Sequence, residues 1–261
     1  MKSNRLSVLV FLLMFSLACG LTGTATNVPE IASPTFTPPP ASNLSQSLTM
    51  QSMPFNETGT APVYTLTAQI PNLQGSSDAR VTTFNEYLSQ IVLSQLDQYR
   101  KDVIAFASNP PVTGGSSFDM QYSVIGQRAD IWSIKFEISY YTDGAAHPGN
   151  YSITLNYDLQ NGRELTLDEL FLSNSNYLQV ISDECKAQLT ARDMAFDMFS
   201  AGADPLPENY QHWNISSEGL IISFDEYQVA PYAAGPQVVV IPFSVLQSLI
   251  NPQGAASLFI Q

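Results

Sequence analysis

The chain has 261 residues, 13% of them charged, and a formal net charge of −13 at pH 7. A surface this acidic repels nucleic acid and anionic envelope polymers and favours cationic partners, although solubility alone would also account for it. Two cysteines are present, and a lipid on the first would leave only Cys185, which excludes an internal disulfide. Stability must then come from a hydrophobic core.

The first 19 residues have the order of an export signal. Lys2 and Arg5 precede an apolar run that ends at Leu17, and this run is too short to span a bilayer. The stretch Ser16-Leu17-Ala18-Cys19 resembles a bacterial lipobox, with serine where leucine is more usual. We predict that residues 1–19 are a lipoprotein signal peptide with lipidation at Cys19, rather than an ordinary cleaved signal with an incidental cysteine.

Residues 20–58 are rich in Thr, Ser, Pro and Asn and have no apolar periodicity. Such a composition buries too little apolar surface to offset the entropy lost on ordering. We predict a disordered spacer that tethers the folded part of an extracytoplasmic protein to the membrane.

Residues 59–110 are predicted to form a strand and one long helix. The stretch "PVYTLTAQIP" from Pro62 alternates apolar and polar residues, as a half-buried strand does. From Val81 to Phe106, apolar residues recur at three- and four-residue steps, which indicates an amphipathic helix of about seven turns.

Residues 111–261 are predicted to form a second, larger domain. Alternating runs from Phe118, Trp132 and Tyr151 indicate three strands joined by short loops, hence an antiparallel meander. Short helices follow after Thr166 and around Cys185, and two more strands are predicted at residues 219–224 and 237–241. The fold class is therefore α+β, an antiparallel sheet meander packed by one long helix and shorter helices.

Three stretches resemble a known family. They are the strand and helix from Val63 to Phe106, "YYTDGAAHPGNYSITLNYDLQNGRELTLDELF" and "GLIISFDEYQVAPYAAGPQVVVIPFSVL". Together they look like the extracytoplasmic module of unknown function shared by RsiV-type anti-sigma factors and PdaC-type peptidoglycan deacetylases. The pattern Gly-x-Ala-His-Pro at Gly144 to Pro148 is the most specific part of this resemblance.

The resemblance implies a binding module on an α+β fold. In RsiV-type proteins the outer domain binds lysozyme, and binding exposes the protein to proteolysis that frees a sigma factor. The sequence shows neither a sigma-factor-binding segment nor a deacetylase domain. The implied function is a lipid-anchored binding module for lysozyme-like cationic wall-active proteins or cell-wall glycan, with no cofactor and no nucleic acid partner.

Two loops are the candidate contact surface, Thr142 to Asn150 and Asp225 to Pro236. We name Asp143, His147, Tyr227 and Tyr232 as candidate ligand-binding residues, with Val229 as an apolar contact. The aromatic residues could instead close the edge of a sheet. His147 could likewise be a partly buried residue that fixes the loop through a backbone carbonyl or a carboxylate.

An envelope hydrolase is the alternative function, in which Asp143 and His147 would supply a general base and the partner that orients it. The usual hydrolase, phosphate-loop and metal motifs are missing, and only His147 and His212 are available as histidine ligands, so we predict no metal site. Cys185 lies on the apolar stripe of its helix and is predicted to be a core residue. A structural envelope lipoprotein without a small ligand also remains open.

Overall fold

The computed structural model describes residues 48–106, 110–192 and 195–260. These residues belong to one compact unit, residues 41–261. The predicted signal peptide, Cys19 and most of the predicted spacer lie outside the described residues.

Six strands form the first sheet, in the order in which they occur along the chain. They are β1 (Thr49–Thr60), β2 (Val63–Gln74), β3 (Ser116–Arg128), β4 (Ile131–Tyr141), β5 (Gly149–Asp158) and β6 (Arg163–Glu164). All neighbours are antiparallel except β2 and β3, which run parallel because the helix between them returns the chain to the same end of the sheet.

The long helix α1 (Ala79–Phe106) covers one face of this sheet. Seven of its residues are buried at three- and four-residue steps: Val81, Phe84, Leu88, Val92, Leu96, Tyr99 and Val103. The carboxylate of Asp78 accepts a hydrogen bond from the N–H of Arg80 and so satisfies one free donor at the start of the helix. The Asn85 side chain bonds both the N–H and the carbonyl of Leu73, which fixes α1 against the end of β2.

Strand β4 is buried on both faces because each face is covered by a different layer. Trp132, Ile134, Phe136 and Ile138 belong to the core beneath α1. Ile131 belongs instead to a second hydrophobic cluster, and the intervening Ser133 is also fully buried. The period of two residues along a strand explains this division.

A second sheet of three antiparallel strands builds that second cluster. Its strands are β7 (Trp213–Ser216), β8 (Gly219–Phe224) and β9 (Gln237–Ile241). Helix α2 (Tyr177–Thr190) packs beside it through Ile181, Cys185 and Leu189, and the single turn α3 (Phe243–Leu246) follows β9. Short 3-10 turns occur at Asp168–Leu170, Phe196–Met198, Ser200–Ala203, Pro207–Tyr210, Tyr232–Ala234 and Ala255–Leu258.

A buried polar network joins the two sheets where β7 meets β4 and β5. The hydroxyl of Ser133 donates to the Asn156 side chain and accepts from the Asn214 side chain and the N–H of Ile215. At Gly126 of β3 an added Cβ would lie 2.2 Å from the Ile215 carbonyl oxygen. The close approach of β7 therefore requires glycine at this position.

The predicted α+β fold is confirmed, and the structure corrects two details. Residues 49–58 were predicted to be spacer, but they are part of β1, which pairs with β2 along its whole length. Strand β7 was not predicted. The residues on the two sides of the boundary predicted near residue 110 share one hydrophobic core, since α1 packs with β3, β4 and β5.

In the ranges 48–106, 110–192 and 195–260, no helix is both long and apolar enough to cross a bilayer.

Candidate functional site

The first predicted loop connects β4 to β5 and is held by a buried carboxylate. Asp143 is 7% exposed, and its oxygens accept hydrogen bonds from the N–H of Val112 (2.7 Å), the N–H of Thr113 (2.8 Å) and the hydroxyl of Thr113 (2.7 Å). These donors lower the pKa of Asp143 to about 2. The carboxylate therefore fixes the loop to the segment that precedes β3.

The second predicted loop, residues 225–236, is held to the beginning of β5 by two carboxylates. Asp225 accepts a hydrogen bond from the N–H of Ser152 at 2.9 Å. Glu226 accepts from the side-chain amide of Asn150 at 2.7 Å and from its N–H at 3.2 Å. Both predicted loops thus lie at the same end of the β4–β5 pair.

Three aromatic side chains meet where the two loops touch, and we call His147, Tyr227 and Tyr232 the ring cluster. The Tyr232 hydroxyl donates to the carbonyl of Pro148 at 2.9 Å. The ring centroids of His147 and Tyr232 are 3.9 Å apart, and those of Tyr227 and Tyr232 are 5.8 Å apart. Three of the four predicted ligand-binding residues therefore form one contiguous group.

Tyr227 is the most unusual member of the ring cluster. Its side chain is 55% exposed, and its backbone φ of +67° lies in the left-handed region that a bulky residue rarely adopts. A non-glycine residue held in this region costs roughly 1–3 kcal/mol, and such strain occurs most often at functional sites.

Asp143 stands apart from the ring cluster. Its hydrogen bonds go to residues 112–115, while Nδ1 of His147 is 2.8 Å from the Pro148 carbonyl oxygen. No hydrogen bond or ion pair between Asp143 and His147 occurs within the described part of the chain. His147 is also exposed rather than partly buried, so the predicted burial is wrong.

Val229 does not form part of the surface that was predicted for it. The side chain is 0% exposed and lies in the second hydrophobic cluster. The prediction of an apolar contact at Val229 is wrong because this side chain packs in the core and holds the loop there.

The second histidine lies beside a carboxylate that sequence reasoning missed. His212 Nε2 is 3.6 Å from Asp225 Oδ2, which is longer than a hydrogen bond. Burial raises the pKa of Asp225, while His212, the Ser152 N–H and Lys135 oppose that rise. His212 directly precedes β7 and Asp225 directly follows β8, so the contact forms across an antiparallel pair that was missed because β7 was not predicted.

Cys185 is a core residue, as predicted. It is completely buried in the second hydrophobic cluster, and burial raises the pKa of its thiol to about 12. Such a thiol is not a nucleophile at neutral pH. Among the residues with described positions, no group of three or more His, Cys, Asp and Glu side chains is placed to hold a metal ion.

Part of the chain is similar to known proteins. Residues 168–244 match the family model described as "Protein of unknown function (DUF3298)". Over 144 residues the chain is 27% identical to the peptidoglycan-N-acetylmuramic acid deacetylase PdaC of Bacillus subtilis, covering 54% of this chain and 31% of PdaC. The chain carries an RsiV/PdaC-like domain.

Two further relatives are similar in sequence to part of this chain. The anti-sigma-V factor RsiV of Bacillus subtilis is 28% identical over 190 residues, which cover 69% of this chain and 63% of RsiV. The esterase Rv3036c of Mycobacterium tuberculosis is 29% identical over 109 residues, covering 41% and 47% of the two chains. The matches span about a third of PdaC and less than two thirds of RsiV, so the similarity concerns one module and not the whole relatives.

Solved structures of DUF3298 proteins share the fold. A DUF3298-family protein of Bacteroides fragilis has a TM-score of 0.64 at 20% identity and matches 82% of this chain and 97% of its own. A DUF3298-family protein of Pseudomonas aeruginosa has a TM-score of 0.59 at 16% identity, with 78% and 95% of the two chains matched. Both matches extend well beyond residues 168–244, so the shared fold includes most of the first sheet.

Proposed function

We propose that the chain is an extracytoplasmic binding module that engages a cationic wall-active protein such as lysozyme through the ring cluster. One observation carries this proposal: His147, Tyr227 and Tyr232, from two loops about 80 residues apart in sequence, form one aromatic surface on which His147 and Tyr227 are exposed and Tyr232 is half-buried. Aromatic rings of this kind contribute large contact area with a polar tip, as recognition surfaces require.

The backbone of Tyr227 gives independent support. A tyrosine side chain can be exposed to solvent without a left-handed backbone. Glycine would adopt the conformation of Tyr227 without strain. A tyrosine kept there at a cost in stability is the pattern expected for a residue selected for contact with a ligand.

Charge supports a basic partner. The net charge of −13 would become more negative if Lys2 and Arg5 were removed with a signal peptide, leaving eight basic against 23 acidic residues. Opposite charge raises the rate of association with a basic protein, and salt weakens this effect. Lysozyme is such a protein, and the resemblance to RsiV-type sensors favours it among cationic proteins.

The relatives PdaC and RsiV favour an extracytoplasmic domain. A lipid anchor at Cys19 would complete this arrangement by tethering the module to the membrane. Radiolabelled palmitate in the full chain, absent from a Cys19→Ala variant, is the expected sign of the anchor. Equal labelling of both forms would contradict it.

Cell-wall glycan is a second candidate ligand, favoured by the name of the relative PdaC, a peptidoglycan deacetylase. Sugar rings stack on exposed tyrosines, so the same surface could receive them. The hydrolase alternative has weaker support, because the hydrogen bonds of Asp143 go to the loop backbone and not to His147. A relative named as an esterase does not alter that geometry.

Titration with hen lysozyme tests the proposal. We expect a saturable complex at low salt whose affinity falls at least several-fold when the salt concentration is raised. Tyr232→Ala should weaken this complex, whereas Leu93→Ala, an exposed apolar residue of α1, should not. Sedimentation with purified peptidoglycan in place of lysozyme would assign the surface to glycan, and absence of both complexes would favour a structural lipoprotein.

A further inference from the structure

A small cavity of about 230 Å³ opens between α1 and the ends of β3, β4 and β5 that carry the first loop. The residues that matter for its chemistry are Gln95, Gln98, Tyr99, Asp102, Tyr140 and Tyr151. We call this cavity the tyrosine pocket. It is smaller than a typical small-molecule site and suits the end of one side chain.

Three tyrosine rings form the walls of the tyrosine pocket. Tyr140 meets Tyr99 at a centroid distance of 6.1 Å and Tyr151 at 6.0 Å, both edge to face. The rings are therefore turned in different directions around the cavity. This arrangement resembles the aromatic cages that bind cationic groups.

The hydroxyl groups of two of these tyrosines already donate hydrogen bonds within the protein. Tyr99 donates to the carbonyl of Tyr141 at 2.6 Å, and Tyr151 donates to the side chain of Gln95 at 2.7 Å. Burial raises the pKa of Tyr151 to about 12, so its ring stays neutral at physiological pH. Tyr99 is buried in the core beneath α1 and closes the inner wall, so Tyr140 and Tyr151 present most of the aromatic surface to a ligand.

Asp102 supplies negative charge at the tyrosine pocket. One of its oxygens accepts a hydrogen bond from Gln98 at 2.9 Å. Within the described ranges no Lys, Arg or His forms an ion pair with Asp102, although the adjacent Lys101 is paired with Asp97. A carboxylate that forms no ion pair and lies beside aromatic rings favours a positively charged occupant over an apolar one.

The tyrosine pocket lies at the same end of the sheet as the ring cluster. Tyr140 pairs with Gly149 across β4 and β5, and a Cβ on Gly149 would lie 2.5 Å from the Tyr140 ring. Gly149 directly follows Pro148, whose carbonyl accepts the Tyr232 hydroxyl. A partner seated on the ring cluster therefore lies close to the pocket.

We propose that the tyrosine pocket receives the ammonium or guanidinium group of a Lys or Arg side chain from the cationic partner. This inference rests on the proposed function, which it deepens by assigning one subsite to one chemical group. The Asp102 carboxylate attracts the charge, and the three rings contact the cation and the methylene chain that carries it.

Small probes test the pocket without a protein partner. Nα-acetyl-lysine methylamide is titrated into the full chain carrying ring-labelled tyrosine, with the uncharged Nα-acetyl-norleucine methylamide as the control probe. We expect saturable shifts of the Tyr99, Tyr140 and Tyr151 signals with the lysine probe alone. Equal shifts with both probes, or none with either, would overturn the proposal.

The chain offers a matched control for Asp102. Asp183 of α2 accepts a hydrogen bond from Gln179 four residues earlier, in the same way that Asp102 accepts one from Gln98. We expect Asp102→Asn to weaken the lysine probe and hen lysozyme by about tenfold each, and Asp183→Asn to weaken neither.

The outcomes separate this inference from the proposed function. If Asp102→Asn leaves the affinity for lysozyme unchanged and the lysine probe causes no shifts, the pocket proposal is wrong and the proposed function stands. A saturable response to the lysine probe without a lysozyme complex retains a cation pocket and overturns lysozyme as the partner.

Discussion

Carboxylates hold both loops of the candidate surface, but only the second loop also has a fully buried apolar side chain. The first loop, between β4 and β5, is fixed by one buried carboxylate, Asp143, that bonds backbone groups of residues 112–115. The second loop is fixed by the buried side chain of Val229 and by the carboxylates of Asp225 and Glu226, which bond to groups of β5.

This difference separates support from contact. Among the residues that fix the loops, Asp143 and Val229 are buried, and Asp225 and Glu226 bond to groups at the beginning of β5. Among the residues that the loops present, His147 and Tyr227 are exposed, and their rings contact Tyr232, whose hydroxyl bonds the Pro148 carbonyl. Substitutions in the two groups should therefore affect stability and binding separately.

The largest loss of stability is expected for Val229→Ala in the second loop. Removing two buried methyl groups from a fully packed position should lower the free energy of unfolding by about 2 kcal/mol. The melting temperature should fall by roughly 4–8 °C in calorimetry. Val238→Ala, at an exposed position of β9, is the matched control, and an equal loss in both variants would contradict the anchoring role of Val229.

Asp143→Asn should destabilise the first loop in a pH-dependent way. The amide group replaces one acceptor with a donor and leaves backbone N–H groups unpaired. Because folding lowers the pKa of Asp143 to about 2, its stabilisation is complete above the unfolded pKa near 4 and is lost as pH falls through about 2.

The measurement is the melting temperature of wild type and Asp143→Asn between pH 2 and pH 7. The gap between them should be constant from pH 5 to pH 7 and should close toward pH 2. Asp168→Asn, at an exposed side chain without a hydrogen bond in the described structure, should show no such gap. A gap for Asp143→Asn that widens on acidification would show that the carboxylate does not hold the loop.

His147→Ala should change stability least, because the side chain is exposed. We expect a change within about 0.5 kcal/mol in the free energy of unfolding. Affinity for hen lysozyme should fall by about fivefold, since one ring of the cluster is lost. A large loss of stability with a proportional loss of binding would instead assign His147 the loop-fixing role.

Local pattern was enough to predict most of the regular elements. Helix α1 and strands β3, β8 and β9 follow from their apolar periodicity, and the two β8 and β9 ranges agree with the structure residue for residue. Strand β1 was missed because it is an edge strand whose residues are mostly polar and at least partly exposed, so it has the composition of a spacer.

The candidate site was only partly predictable for a related reason. The resemblance to RsiV-type proteins singled out the two loops, and the structure brings three of their four named residues together. Whether a loop residue such as Val229 faces inward, or Asp143 bonds residues 112–115, depends on contacts between distant segments. Periodicity carries no information about such contacts.

Tyr227→Gly tests the central claim most directly, because it removes the exposed ring and relieves the left-handed backbone at once. Titration with hen lysozyme and calorimetry are carried out on the same variant. The account predicts an affinity at least about tenfold weaker with an unchanged or higher melting temperature. Unchanged affinity would contradict a contact surface at the ring cluster, as would a loss of affinity that merely follows a loss of stability.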